Sequence, residues 1–457
     1  MASRVNNSLT KVREIARRLS QATPWPHGKT AFVWFSIITV LGFVFLMLPR
    51  AVGWRGDFLH SEDGQIFLTE FLANGWGSVA DVYAGYLHVT PRLLTGTCAS
   101  LFGPDGYAAC VAGSANLVRV SLMFLAFPVF SAYARSWRWG LTAAAAALLF
   151  LPAGQQEVLA NFTNLRWFLL FGAFLAVIGV FRNAWLIAFA TVIALLASVS
   201  DPIPLLLAPL ALWRAIGLKR WSKLPAVALL AGGIVHVMAL EPGARGERGG
   251  FLDLVTDPQE TVGQILVRGP LTTQWGVTLS QDLASSLGFP LAITTLAFTG
   301  ILMWLGWRAR QAADPAVPFA ALLTLLGVGF LLVTLSFPAS YIKLADFWSP
   351  SQPARYSALT GLFLTPVIVL VASRVWQSPF APRFSRAWVV GAFIIFGIAV
   401  VGDSGGDARS TDGPTWHESL TLGRQLCASG ETNPQVANAA AFEGWKTTLT
   451  CDWIEIR

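Results

Sequence analysis

Charge is what this sequence has least of. Only 12% of its 457 residues are Asp, Glu, Lys or Arg, about half of the ~25% usual in soluble domains. Cysteine (4), histidine (5), methionine (5) and tyrosine (6) are sparse as well. No Cys/His set has zinc-finger spacing, and no glycine-rich loop of the phosphate-cradling kind is present. Heptads and internal repeats are absent too. A conventional soluble nucleotide-binding domain is thereby excluded.

What the chain has instead is apolar sequence in blocks. It is 54% hydrophobic, with mean hydropathy +0.57. The blocks run to roughly 15–22 residues, the length a helix needs to cross about 30 Å of hydrocarbon. Backbone in lipid must satisfy its own hydrogen bonds, so the blocks are helices. The expected fold is an all-α polytopic membrane protein with about 11 transmembrane helices. They are placed near 31–49, 108–130, 141–153, 165–181, 184–200, 203–216, 224–240, 287–306, 316–336, 356–373 and 387–401. The 141–153 and 203–216 blocks are short, which suggests tilted or broken helices.

A net charge of +7 would suit nucleic acid, but its placement argues for a membrane. With the N-terminus inside, the inner segments hold Arg13, Arg17, Arg135, Lys223, Arg310 and Arg374, among others. Only Glu14 and Asp314 of the 25 acidic residues join them. Short basic inner loops are what the positive-inside rule requires, so the topology expected is N-in and C-out, with no nucleic-acid partner. Residues 1–30 then form a basic cytoplasmic segment, in which 12–20 can make a short amphipathic helix on anionic lipid. Residues 31–401 form the membrane domain, with outer loops 50–107, 241–286 and 337–355. Residues 402–457 form a small extracytoplasmic tail. All four cysteines fall on the outer side, where disulfides persist. Cys98–Cys110 and Cys427–Cys451 are the expected pairs, although four cysteines permit three connectivities.

The first outer loop concentrates the scarce polar residues. It contains Asp57, His60, Ser61, Glu62, Asp63 and Glu70, then Tyr83, Tyr86, His88 and Arg92. Apolar residues at 66, 67, 68, 71 and 72 form one helical face, and Gly75 and Gly77 end that helix. Ser61, Glu62 and Asp63 precede it, where they can serve as helix caps. Capping needs one such residue, whereas Asp57, Glu62 and Asp63 lie within seven positions. Asn116 and Arg119 inside the second span must face protein rather than lipid, Arg119 as either a structural or a phosphate-binding group. The short turn from Gln155 to Trp167 carries more hydrogen-bonding side chains than a turn requires. Arg268 lies on the second outer loop, which opens with a glycine-rich stretch suited to a flap. Lys343 and Arg355 lie on the third.

Carboxylates beside a membrane with cations on neighbouring loops suit sugar transfer from a lipid phosphate. The acceptor hydroxyl needs a base within hydrogen-bond reach, and the leaving phosphate needs positive charge. Arg355, Lys343, Arg92, Arg166 and Arg268 are the candidates for the phosphate, with His88 as a further donor. Each could equally be an interface residue whose stem lies along lipid.

The plan of a cytoplasmic N-terminus, one span, a long acidic first outer loop, many further spans and an outer tail resembles the GT-C superfamily of integral-membrane glycosyltransferases. The run Glu62-Asp63-Gly64-x-Ile66 is similar to an acidic opening in actinobacterial arabinofuranosyltransferases of that superfamily. The resemblance implies Asp63 as catalytic base, with Glu62 or Asp57 assisting. It also implies a polyprenyl-phosphate-linked sugar donor, a glycan or lipid acceptor, and work at the outer face of a bacterial-type plasma membrane. A divalent metal, Mg or Mn, serves many such enzymes. The alternatives are a glycan polymerase or ligase and a flippase for lipid-linked oligosaccharides.

Overall fold

Apolar side chains cover the outside of this molecule as well as its core. In the computed structural model, residues 13–455 are described except 27, 50–52, 219, 242–253, most of 288–313, 337–353, 379–382, 406–412 and 439–443. Helix α1 (Lys29–Met47) buries Ala31, Phe35, Gly42 and Leu46 and leaves Phe32, Val40, Leu41 and Val44 exposed. Water does not tolerate so continuous an apolar face, and lipid does. Among the described residues, six helices are long and apolar enough to cross a membrane. They are α1, the run Val89–Ala134, Trp221–Met238, Ala316–Leu335, Arg355–Gln377 and Ser385–Asp403. Three shorter apolar helices accompany them.

Between α1 and the next long helix, the chain forms a π-helical turn over Asp63–Leu68, helix α2 (Thr69–Asn74) and a small hairpin of β1 (Val82–Tyr83) and β2 (Tyr86–Leu87). Helix α3 (Val89–Ser121) follows. The sequence places a span from 108, but the helix begins at Val89, nineteen positions earlier, and bends at Gly103–Pro104. Gly103 adopts φ 62°, where a side chain would be strained. Pro104, lacking an N–H, fits the first turn of the second arm better than a helix interior. The Cys98–Cys110 disulfide, 2.06 Å, clips the two arms together.

The bundle continues through α4 (Met123–Ala134), α5 (Trp137–Leu148), α6 (Leu165–Ile178) and α7 (Ala184–Ser198). The 203–216 block is broken, a 3-10 turn at Ile203–Leu207 leading into α8 (Ala208–Gly217). Then come α9 (Leu224–Met238), α10 (Pro258–Leu266), α11 (Val277–Leu287), α12 (Ala316–Leu335), α13 (Arg355–Gln377) and α14 (Arg383–Asp403). The closest helix pairs are α4 with α5, α7 with α9, α6 with α7 and α12 with α13. One core of Leu, Phe and Ala runs through them.

Buried arginines close the irregular joints. Arg119 donates to the carbonyls of Leu148 and Gly154, and its guanidinium lies 4.5 Å from the Phe168 ring centre. Its role is therefore structural. At the basic end of the bundle, Arg214 donates to Leu19 O and Ile178 O, pinning the short helix over 13–19. Arg374 grips both oxygens of Asp314 at 2.5 and 2.9 Å and the carbonyls of Tyr133 and Ala134.

The tail is built from α15 (Trp416–Ala428), an antiparallel hairpin of β3 (Gln435–Ala437) and β4 (Lys446–Thr448), and α16 (Cys451–Ile454). The second expected disulfide, Cys427–Cys451, closes it at 2.01 Å. It does not stand apart. Trp416, Leu420, Val436, Leu449 and Ile454 share a core with Leu59, Leu68 and Tyr107 of the first loop and α3.

Candidate functional site

The polar turn between α5 and α6 holds this end of the molecule together. Residues 151–162 are all buried, and non-helical backbone at such depth survives only where protein supplies its partners. Gln155 donates to Leu149 O and Leu151 O, and Asn161 donates to Glu157 O. Asn164 receives a bond from the Trp167 indole. Three carboxylates centre on the turn: Glu157 of the turn itself and two from other segments. Asp403 at the end of α14 accepts from Gln156 and from the Val277 and Thr278 amides. Glu157, itself fully buried, receives the Arg355 amide at 3.2 Å and pairs with the Arg355 guanidinium.

The third is Asp63. Both its oxygens are occupied by the turn: Phe162 N at 2.7 Å, Thr163 N at 2.8 Å and Thr163 Oγ1 at 2.6 Å. It is 0% exposed. Burial pushes its carboxyl above the ordinary Asp range, outweighing His60 and the three hydrogen bonds. All three of the bonds it accepts come from inside the protein. It does not cap its own helix, because its side chain turns away to the turn that precedes α6. Its neighbour Glu62 is the accessible one, with 23% of its side chain exposed, His60 Nε2 at 4.0 Å and its charge acting on Arg355. Asp57 is exposed at the end of a 3-10 turn.

Of the expected phosphate ligands, Arg166, Arg268 and Arg355 come together. Arg268 and Arg355 each lie 5.5 Å from the Tyr356 ring centre, and Arg355 is near enough to repel both of the others. Arg166 donates to the Tyr86 hydroxyl at 2.5 Å and pairs with Asp201 at 3.4 Å. Arg268 donates to Gln264, which donates to Glu260, a stripe along one face of α10. Burial holds the Arg268 guanidinium down to about 10, with Tyr356 and Glu157 acting the other way. His88 stacks on Tyr86 at 4.2 Å, and Tyr86 faces the buried His236 at 5.9 Å. Arg92 is held elsewhere, paired with Glu70 at 2.5 Å and against Phe67. Lys343 and the glycine-rich stretch of the second loop lie outside the described residues.

Glu157, Tyr356, Asp201 and His236 were not among the expected site residues. Glu157 had a signal, since a carboxylate in a short turn between two apolar spans demands a cation. His236 had none. The spacing Gly402-Asp403-Ser404-Gly405-Gly406 resembles a nucleophile elbow, but the Ser404 hydroxyl bonds Val401 O of its own helix.

Among the described residues no three His, Cys, Asp or Glu side chains gather to hold a metal. Of the cavities described, one of about 260 Å³ lies between α12 and α13 beside Asp314 and Arg374, and an apolar one lies between α5, α13 and α14. Neither is lined by Glu62 or Asp63. No family model, curated protein or solved structure matches this chain.

Proposed function

We propose that the chain is a membrane glycosyltransferase that moves a sugar from a polyprenyl-phosphate donor to a glycan or lipid acceptor, working on the extracytoplasmic side of a bacterial-type plasma membrane. The observation that carries this reading is the cluster of Arg166, Arg268 and Arg355 from three separate segments about Tyr356, with the accessible carboxylate Glu62 near enough to act on Arg355. In the reaction the acceptor oxygen attacks the anomeric carbon and its proton passes to Glu62. The bond from that carbon to the phosphate oxygen breaks, and polyprenyl phosphate leaves with the electron pair. Arg355, Arg268 and Arg166 stabilise the charge that develops there. Arg268 is apt for this, since burial already disfavours its charge and an arriving anion offsets that penalty. Glu157 orients Arg355 through its backbone and its side chain. Asp63 fixes the Glu62 segment against the turn that precedes α6.

The test uses purified protein in lipid, with a panel of polyprenyl-phosphate sugars and an acceptor extract. Release of polyprenyl phosphate is followed for wild type, Glu62→Gln and Asp57→Asn. Loss of general-base catalysis lowers the rate of Glu62→Gln by about 10²–10⁴-fold, whereas Asp57→Asn stays near wild type. Full activity in Glu62→Gln removes it as the base.

A further inference from the structure

The Glu62–Asp63 segment is held from two sides. Thr163 and Phe162 hold it from the bundle, and the C-terminal tail holds it from the other side. Asn438 Nδ2 donates to Ser61 O at 2.8 Å, and the Lys446 amide donates to Gln65 Oε1 at 3.0 Å. The Thr448 amide donates to Thr69 Oγ1 at 3.0 Å, and that hydroxyl faces Thr448 O at 3.4 Å. These contacts bracket positions 61–69 at both ends and in the middle.

The approach is closest at Gly64. A Cβ there would lie 2.1 Å from Thr447 Oγ1 and 2.9 Å from both Asn438 Nδ2 and Leu59 Cδ2, so a larger residue fits only if the Thr447 and Asn438 side chains shift. Thr447 is 0% exposed, and among the described residues its hydroxyl has no hydrogen-bond partner. Two interlocking observations thus tie residues almost four hundred positions apart to one backbone.

We propose that the tail is the positioning half of the transfer site, with Asn438 setting the Glu62 backbone and the β3–β4 hairpin fixing its height above Arg355. This rests on the reading of Glu62 as base. Asn438 touches no reacting atom and is a positioning residue.

The full chain in lipid is compared as wild type, Asn438→Ala, Gly64→Ala and Gly64→Ala/Thr447→Ala. Amide exchange over 61–69 is read beside kcat and KM for polyprenyl-phosphate release. Losing the Ser61 bond raises exchange over 61–69 about tenfold. It also lowers kcat about tenfold with donor KM unchanged, while exchange in α13 does not move. Gly64→Ala acts in the same direction, and Thr447→Ala restores part of the loss by removing the nearest atom. Unchanged exchange in Asn438→Ala, or no rescue by Thr447→Ala, overturns the proposal. Raised exchange with intact kcat overturns it as well and leaves the transfer reading standing. A wild type that transfers nothing sinks the transfer reading itself, whatever the exchange shows.

Discussion

Both ends of the bundle bury arginines, but they satisfy them differently. At the basic end, Arg374 spends its donors on both oxygens of Asp314 and on the carbonyls of Tyr133 and Ala134. Arg214 likewise closes on Leu19 O and Ile178 O. At the loop-rich end, the described bonds of Arg166 and Arg268 go to side chains: Tyr86 and Asp201 for the first, Gln264 for the second. A carbonyl at a helix end has little freedom to leave, so a guanidinium bound to it is a fixed part of the frame. A side-chain partner can rotate and make way for a phosphate. On the proposed reading, arginines that bind carbonyls (Arg119, Arg214 and Arg374) hold the fold, and those whose described bonds go to side chains alone are the ones able to exchange a partner for a ligand.

The sharpest way to break this contrast is to remove one arginine from each end. Arg374→Met leaves Asp314 buried without its cation, a loss of about 3–5 kcal/mol in unfolding free energy, measured by denaturant titration in mild detergent. Arg268→Met removes a charge that burial already disfavours, so stability stays level or rises. Its transfer rate falls by roughly 10²-fold, the scale of losing one charge-stabilising donor. Equal destabilisation by both would remove the distinction.

The next comparison sets the tail against the kinked helix, each of which is closed by one disulfide. Cys427 and Cys451 are 24 positions apart and Cys98 and Cys110 are 12 apart. Loop closure in the unfolded chain makes the first worth about 3.5 kcal/mol and the second about 2.8 kcal/mol. Paired Cys→Ser variants should rank in that order in unfolding experiments. Only the tail pair should also raise amide exchange over 61–69, because that hairpin leans on Gly64.

That the chain is mostly helical, with apolar helices long enough to cross a membrane, and that its cysteines pair as they do were legible in the sequence, because each depends on local pattern: runs of apolar residues, or cysteines close together in the chain. The start of α3 was not, since Thr90, Arg92, Thr95 and Thr97 make its first arm too polar to read as a span. The arginine cluster was legible in part. Arg166, Arg268 and Arg355 could be named from charge beside lipid, but Arg92 carried the same signal and is taken by Glu70. Which of Glu62 and Asp63 is accessible could not be read, because it depends on Phe162 and Thr163, some hundred residues away. The same holds for the tail, whose grip on Ser61 leaves no trace in spacing.

The smallest effect compares two buried carboxylates by sign rather than size. Burial pushes the Asp63 carboxyl above its ordinary pKa. The folded protein therefore holds that proton more tightly than the unfolded chain does, and the stability that goes with it is complete below the unfolded value near 3.8 and fades as pH climbs through the folded one. Asp314 is the reverse. Burial raises it, but Arg374 and the Ala316 amide outweigh burial and lower it. Its contribution is complete above 3.8 and is lost as pH drops through the lowered value. Asn at either position does not titrate. The gap in unfolding free energy between wild type and Asp314→Asn should thus shrink on acidification below 3.8, while the gap for Asp63→Asn should widen as pH falls towards 3.8 from above. Two gaps moving in the same direction would mean that Asp63 is stabilised as a carboxylate, as Asp314 is, and that its three hydrogen bonds outweigh its burial.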